Sequence, residues 1–187
     1  IRDAGEQDAA AESLAAAEAA GATAVLTETD TKTAVEVIEI GAPLAGRVLP
    51  LAEIPDPVFA KGTMGQGVGI LPSGNVVVAP ADGMVVAAQP TGHAFGMVLD
   101  GAVELLIHVG IDTVQLAGEG FEVHVKAGQK VTAGTPLVTF DRAVIEQAGY
   151  SLVTPVIVMN AKKFAGVRPL AEGEVAVGDP LIGVQAE

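Results

Sequence analysis

From about residue 36 to the C-terminus the chain alternates short apolar runs, rich in β-branched residues, with glycine and proline at spacings near ten residues. The runs are "VEVIEI", "GRVLPL", "GVGILP", "NVVVAP", "GMVVAAQ", "AFGMVL", "VELLIHVG", "FEVHV", "PLVTF", "TPVIVM", "GEVAVG" and "PLIGV". Each is a strand-length run, and their density predicts an all-β sandwich or barrel. Helical periodicity is scarce. Only "RAVIEQAGY" at 142–150 predicts one or two helical turns. Phrases also recur: "APLAGRV" at 42 resembles "APADGMV" at 79, and "VTAGTPLVTF" at 131 resembles "VAVGDPLIGV" at 175. These echoes predict a small β-motif duplicated within the domain, with glycine at the turn and proline opening the next strand.

Residues 1–36 have a different texture, rich in alanine and acidic side chains, with good helix propensity over 7–20 but only Leu14 as a large apolar group there. Residues 1–37 hold eight acidic and two basic groups, a net −6, and the remainder fifteen and eight, a net −7. The segment reads as an extended linker or tail preceding a domain at 37–187. The total of −13 disfavours nucleic acid, whose phosphates would be repelled, and favours basic protein partners. No apolar run approaches the ~20 residues needed to span a bilayer, so a soluble domain without membrane insertion is expected. Absence of cysteine excludes a disulfide framework, a thiolate metal site and a thiol nucleophile, and fits a cytoplasmic location. No basic segment leads into an apolar stretch at the start, so no signal peptide is expected; the chain begins at Ile1, as a processed form, a truncated form or a piece of a longer polypeptide would.

Two of the three histidines bound one stretch, "HAFGMVLDGAVELLIH" at 93–108. Asp100-Gly101 is a favoured two-residue type I′ hairpin turn, which would set Leu99 opposite Ala102 and His93 directly opposite His108. Thr91 and Asp112 add a hydroxyl and a carboxylate nearby. Gly92 and Gly110 remove side chains beside the rings, as an approaching partner would require. Metal binding would need a third ligand from a carboxylate or a partner. Nucleophilic catalysis on a phosphoryl group needs one neutral imidazole and a second donor to steady the incoming charge, which this pair supplies. His124, in "FEVHV", stands outside the set and reads as structural or surface.

The motifs "IPDPVFA", "APADGMV", "PTGHAF", "LLIHVGIDTVQLAGEGF" and "SLVTPVIVMN", in order over about residues 40–186, resemble the glucose-type enzyme IIA domain of the bacterial phosphoenolpyruvate-dependent sugar phosphotransferase system. The resemblance implies an antiparallel β-sandwich, or barrel-sandwich hybrid, built from a duplicated hybrid motif. It implies a phosphotransferase component in which His108 takes a phosphoryl group from the histidine-containing phosphocarrier protein and passes it to a cysteine of enzyme IIB. His93 is then the supporting histidine and Thr91 orients a ring. Asp56 and Asp112 meet basic side chains of the partners, and Val58, Phe59 and Leu106 form an apolar docking rim. Gln89 departs from the family, whose well-known members carry an aromatic there. No cofactor is required; zinc could sit on His93 and His108 only with a partner's carboxylate.

The resemblance also leaves open a mainly regulatory binding role as the alternative, with transporters or kinases as partners on the same face, and a fused sugar permease tethering the domain to the membrane. Which sugar is transported is not readable, because the IIA domain does not contact it. Two other classes fit less well. A zinc endopeptidase on a related β-motif needs His-x-x-x-Asp together with His-x-His, and His-x-His is absent. A biotinyl or lipoyl carrier would explain "VKAGQKVTAGTPL", but Lys126 and Lys130 lack the flanking residues of a modifiable hairpin lysine. The glycines of "GTMGQGVGI" do not have phosphate-loop spacing and read as strand and turn glycines.

Overall fold

The computed structural model describes residues 36–100 and 102–186. The expected N-terminal linker therefore lies almost wholly outside the described residues. Fourteen strands are present among them: β1 (Val37–Gly41), β2 (Gly46–Pro50), β3 (Gln66–Pro72), β4 (Val76–Val78), β5 (Gly83–Ala88), β6 (Ala94–Leu99), β7 (Val103–His108), β8 (Phe121–Val123), β9 (Lys130–Val131), β10 (Pro136–Phe140), β11 (Thr154–Val158), β12 (Gly166–Pro169), β13 (Gly173–Val175) and β14 (Pro180–Gln185). Two short helices, α1 (Pro57–Ala60) and α2 (Arg142–Gln147), complete the regular structure with a few 3₁₀ turns. The strands form an eight-stranded sheet in the order β13-β2-β3-β11-β7-β6-β5-β9 and two three-stranded sheets, β1-β14-β12 and β4-β10-β8. Every described pairing is antiparallel, as the all-β sandwich reading requires.

Each of the twelve apolar runs contributes a strand; alternation buries one side of strands such as β7, whereas β11 is buried at all five positions. Along β7, for instance, Val103, Leu105 and Ile107 are buried while Glu104, Leu106 and His108 are only half-buried. The buried set joins Phe95, Met97, Phe140, Ile182 and others in one core between the sheets. Fully burying a side chain of this size stabilises the fold by about 1.5–3 kcal/mol. α2 starts where "DRAVIEQ" places Asp141 as N-cap, its carboxylate accepting from the N–H groups of Ala143 and Val144.

The sequence echoes have a structural counterpart. Gly46 opens β2 and pairs with Val175 of β13; Gly83 opens β5 and pairs with Val131 of β9. Just before these strands, Ala42 N–H donates to Asp179 and the Ala42 carbonyl accepts from Gly178, while Ala79 N–H donates to Thr135 and the Ala79 carbonyl accepts from Gly134. The same frame is thus built twice, and both copies contribute to the large sheet.

Candidate functional site

β6 and β7 do not pair in the expected register. Leu99 faces Val103, so three residues rather than two connect the strands, and His108 is opposite Ala94. The third residue, Ala102, takes a left-handed φ of 65°. Asn160 holds it there: its Nδ2 donates to the Ala102 carbonyl at 2.8 Å, and its Oδ1 accepts from Glu104 N–H at 2.9 Å. Gly101, the second residue of the expected turn, lies outside the described residues. His93 falls one position before β6, at the end of a turn closed by Gly92 N–H donating to the Gln89 carbonyl. Outside the strand it is free of the pleat's alternation, and the two rings meet despite the shift. Their centroids are 5.4 Å apart with planes at 71°.

Each imidazole is oriented through Nδ1. In His108 this atom lies 2.6 Å from the Gly110 carbonyl oxygen. In His93 it lies 2.5 Å from Thr91 Oγ1. Burial lowers the pKa of both rings; for His93 the charge of His108 lowers it further. For His108 burial is the largest influence, opposed by the hydrogen bond to Gly110 and by the carboxylates of Asp56 and Asp112.

The glycines beside the rings have a different purpose from the one expected. Gly92 and Gly110 both have left-handed backbone, φ +73° and +74°. A Cβ on Gly92 would fall 2.8 Å from Cβ of Phe121, and one on Gly110 would fall 2.5 Å from Cγ2 of Thr113 and 2.9 Å from the Ser151 carbonyl. Turn geometry and packing within the chain demand glycine at both positions, without reference to a partner.

Of the other expected residues, Asp56 is the N-cap of α1, its Oδ1 accepting from Val58 N–H at 2.8 Å, with Pro57 at the first helical position. The Asp-Pro pair in "IPDPVFA" is a legible helix-start signal, yet no helix was expected there. Val58 is 48% exposed, whereas Phe59 is only 7% exposed. Phe59 is therefore a wall of the site rather than part of an open rim, its ring centroid 5.5 Å from that of His108. It belongs to a second, smaller cluster with Ile54, Ile111, Val153 and Ile157, against which Leu106 packs. Asp112 is exposed and has left-handed φ, 60°. His124 is exposed, and its Nε2 lies 2.8 Å from Thr139 Oγ1 rather than on either ring of the pair. The Gly110 carbonyl was missed by the sequence reading, since no side-chain type announces a backbone acceptor. Among the described residues no group of three or more His, Cys, Asp or Glu is placed to hold a metal ion.

An antiparallel sandwich with two apposed imidazoles, each held through Nδ1 on an apolar sheet face, defines a β-domain with a paired-histidine site. The chain belongs to the family described as phosphoenolpyruvate-dependent sugar phosphotransferase system, EIIA 1, which matches residues 38–164. It is 48% identical over 152 residues to the PTS system mannose-specific EIIBCA component of Corynebacterium glutamicum, covering 81% of this chain and 22% of that protein. It is 44% identical over 145 residues to the PTS system glucose-specific EIIA component of Staphylococcus aureus, covering 78% of this chain and 87% of that protein. The solved structure of glucose permease IIA from Mycoplasma capricolum superposes with a TM-score of 0.71 at 37% identity, covering 79% of this chain and 96% of that one. The matches span only 20–26% of the length of the EIIBCA relatives. Among the described residues no helix is long and apolar enough to cross a membrane.

Proposed function

We propose that this domain is a phosphocarrier in sugar uptake: Nε2 of His108 accepts a phosphoryl group from the phosphohistidine of the small histidine-containing carrier protein and passes it to a cysteine of an enzyme IIB domain. The observation that carries this reading is the 2.6 Å contact between His108 Nδ1 and the Gly110 carbonyl. A carbonyl only accepts, so Nδ1 keeps the ring proton and Nε2 keeps the lone pair that attacks phosphorus. Burial, by lowering the pKa, favours that neutral form.

In the first transfer the Nε2–P bond forms as the donor's N–P bond breaks, and the electron pair returns to the donor imidazole. In the second, the cysteine thiolate attacks phosphorus and the pair returns to Nε2. His108 neither gains nor loses a proton in either step, so positioning and charge stabilisation suffice. His93 Nδ1 lies against the Thr91 hydroxyl; in this reading the hydroxyl donates, which leaves the ring proton on Nε2 as the donor to the phosphoryl oxygens. Asp56 and Asp112 meet basic side chains of the partners, and exposed Val58 with half-buried Leu106 supplies apolar contact. Zinc is compatible with the two Nε2 atoms only when a partner adds a carboxylate.

The EIIBCA names of relatives support an enzyme IIB partner, and in this reading the domain sits on the cytoplasmic side of a fused permease. Such a tether would raise its concentration at the acceptor to about the millimolar range. Incubation with phosphoenolpyruvate, enzyme I and the carrier protein, read by mass spectrometry, tests the proposal. A gain of one phosphoryl group is expected, lost in His108→Ala; a gain that persists in that variant overturns the assignment.

A further inference from the structure

We infer that Phe59 is a positioning residue for His108, holding the imidazole in place and dry before any partner arrives. The inference rests on the phosphocarrier reading for its functional meaning, and on geometry for its physical content. The two rings are tilted at 56° with centroids 5.5 Å apart. Phe59 cannot retract easily, because it is anchored with Ile54, Ile111, Val153 and Ile157 in a cluster of its own. The turn that carries it is fixed by the Asp56 cap and by backbone bonds from Ala60 N–H to Asp56 and from Lys61 N–H to Pro57. Adjacent residues thus separate two tasks: Val58 at 48% exposure faces solvent, and Phe59 at 7% faces the nucleophile.

His108 is restrained by the Gly110 carbonyl at Nδ1 and by two rings, His93 with its centroid 5.4 Å away and Phe59 at 5.5 Å. The hydrogen bond alone leaves the imidazole free to rock about the Nδ1–O direction. A bulky neighbour restricts that motion and keeps Nε2 aimed along one line, and small misplacements of a nucleophile can cost up to about 100-fold in rate. The Phe59 contact also keeps water from the bond between His108 Nδ1 and the Gly110 carbonyl. Removing the Phe59 ring admits water to that bond and lets the imidazole rock, so that Nε2 is no longer held on one line.

The test combines NMR measurement of solvent exchange at the His108 Nδ1–H with single-turnover phosphorylation by the phosphorylated carrier protein. Phe59→Ala is expected to speed that exchange and to lower the maximal transfer rate about tenfold with little change in the carrier concentration needed for half-maximal rate. Phe59→Leu, which keeps the cluster but not the reach of the ring, is expected to fall between wild type and alanine, with a maximal rate about threefold down, and serves as the readout if the alanine variant does not fold. Val58→Ala should leave the exchange unchanged and raise the half-saturating concentration. Exchange and maximal rate unchanged in the folded Phe59 variants, with only the half-saturating concentration raised, overturn the inference and make Phe59 a docking residue like Val58. Should the wild-type protein accept no phosphoryl group at all, the phosphocarrier reading falls, while the exchange measurement still decides whether Phe59 holds and dries the ring.

Discussion

Strands β2, β3 and β11 in one half of the large sheet correspond to β5, β6 and β7 in the other. Gly46 faces Pro72 where Gly83 faces Leu99, and two residues earlier on β3 and β6, Ile70 faces Thr154 where Met97 faces Leu105. Three residues on from Thr154 and Leu105, the correspondence carries His108 onto Ile157. Ile157 is fully buried within the second cluster, whereas His108 is half-buried at the surface. The strands are alike, and the connections differ. Residues 51–65 join β2 to β3 and are long enough to fold back over their own half of the outer face, while residues 89–93 join β5 to β6 as a short turn. One duplicated position has become core under a long connection and a candidate nucleophile beside a short one. The long connection also reaches across, laying Phe59 on His108.

Altering each connection's contribution tests that contrast. The largest effect is expected from the short turn's histidine. His93→Gln should still accept a phosphoryl group but pass it to enzyme IIB about 100- to 1,000-fold more slowly, as loss of a transition-state donor does, measured by rapid quench. Normal onward transfer would leave the short connection without a chemical role. Next comes the covered half. Ile157→Ala should cost about 2–5 kcal/mol in urea unfolding, because the cluster around it collapses only in part. A cost near zero would mean that the long connection does not bury this position in solution. The smallest effect is at the turn itself: Gly92→Ala should cost about 1–3 kcal/mol through its left-handed backbone and the close approach of Phe121. An unchanged unfolding midpoint would show that the turn tolerates a side chain.

Much of this architecture can be read locally. Alternation and the glycine-proline punctuation identify twelve strand runs and the duplication. The two strands not foreseen are β9, only two residues long, and β12, whose "GVRP" is too short and proline-ended to show a period. The hairpin register was misread because Asp100-Gly101 is a strong local turn signal, while the residue that decides the matter is Asn160, 58 positions from Ala102. The histidines were paired correctly although the register was one residue off, since His93 lies outside β6, where the pleat no longer dictates which way a ring points. Thr91 was placed near the rings by its position in the chain, and its orienting role came from the resemblance. The Gly110 carbonyl and the burial of Phe59 needed the folded chain, because one is a backbone atom and the other depends on a connection crossing between halves.

The central claim concerns a single atom, Nε2 of His108, whose lone pair is free because Nδ1 is committed to the Gly110 carbonyl. Protein labelled with ¹⁵N-histidine and phosphorylated through phosphoenolpyruvate, enzyme I and the carrier protein can be read by ¹H–¹⁵N and ³¹P correlation spectra. The account predicts phosphorus bonded to Nε2 of His108 with the proton retained on Nδ1. Phosphorus on Nδ1 of His108, or on either ring nitrogen of His93 or His124, would contradict it.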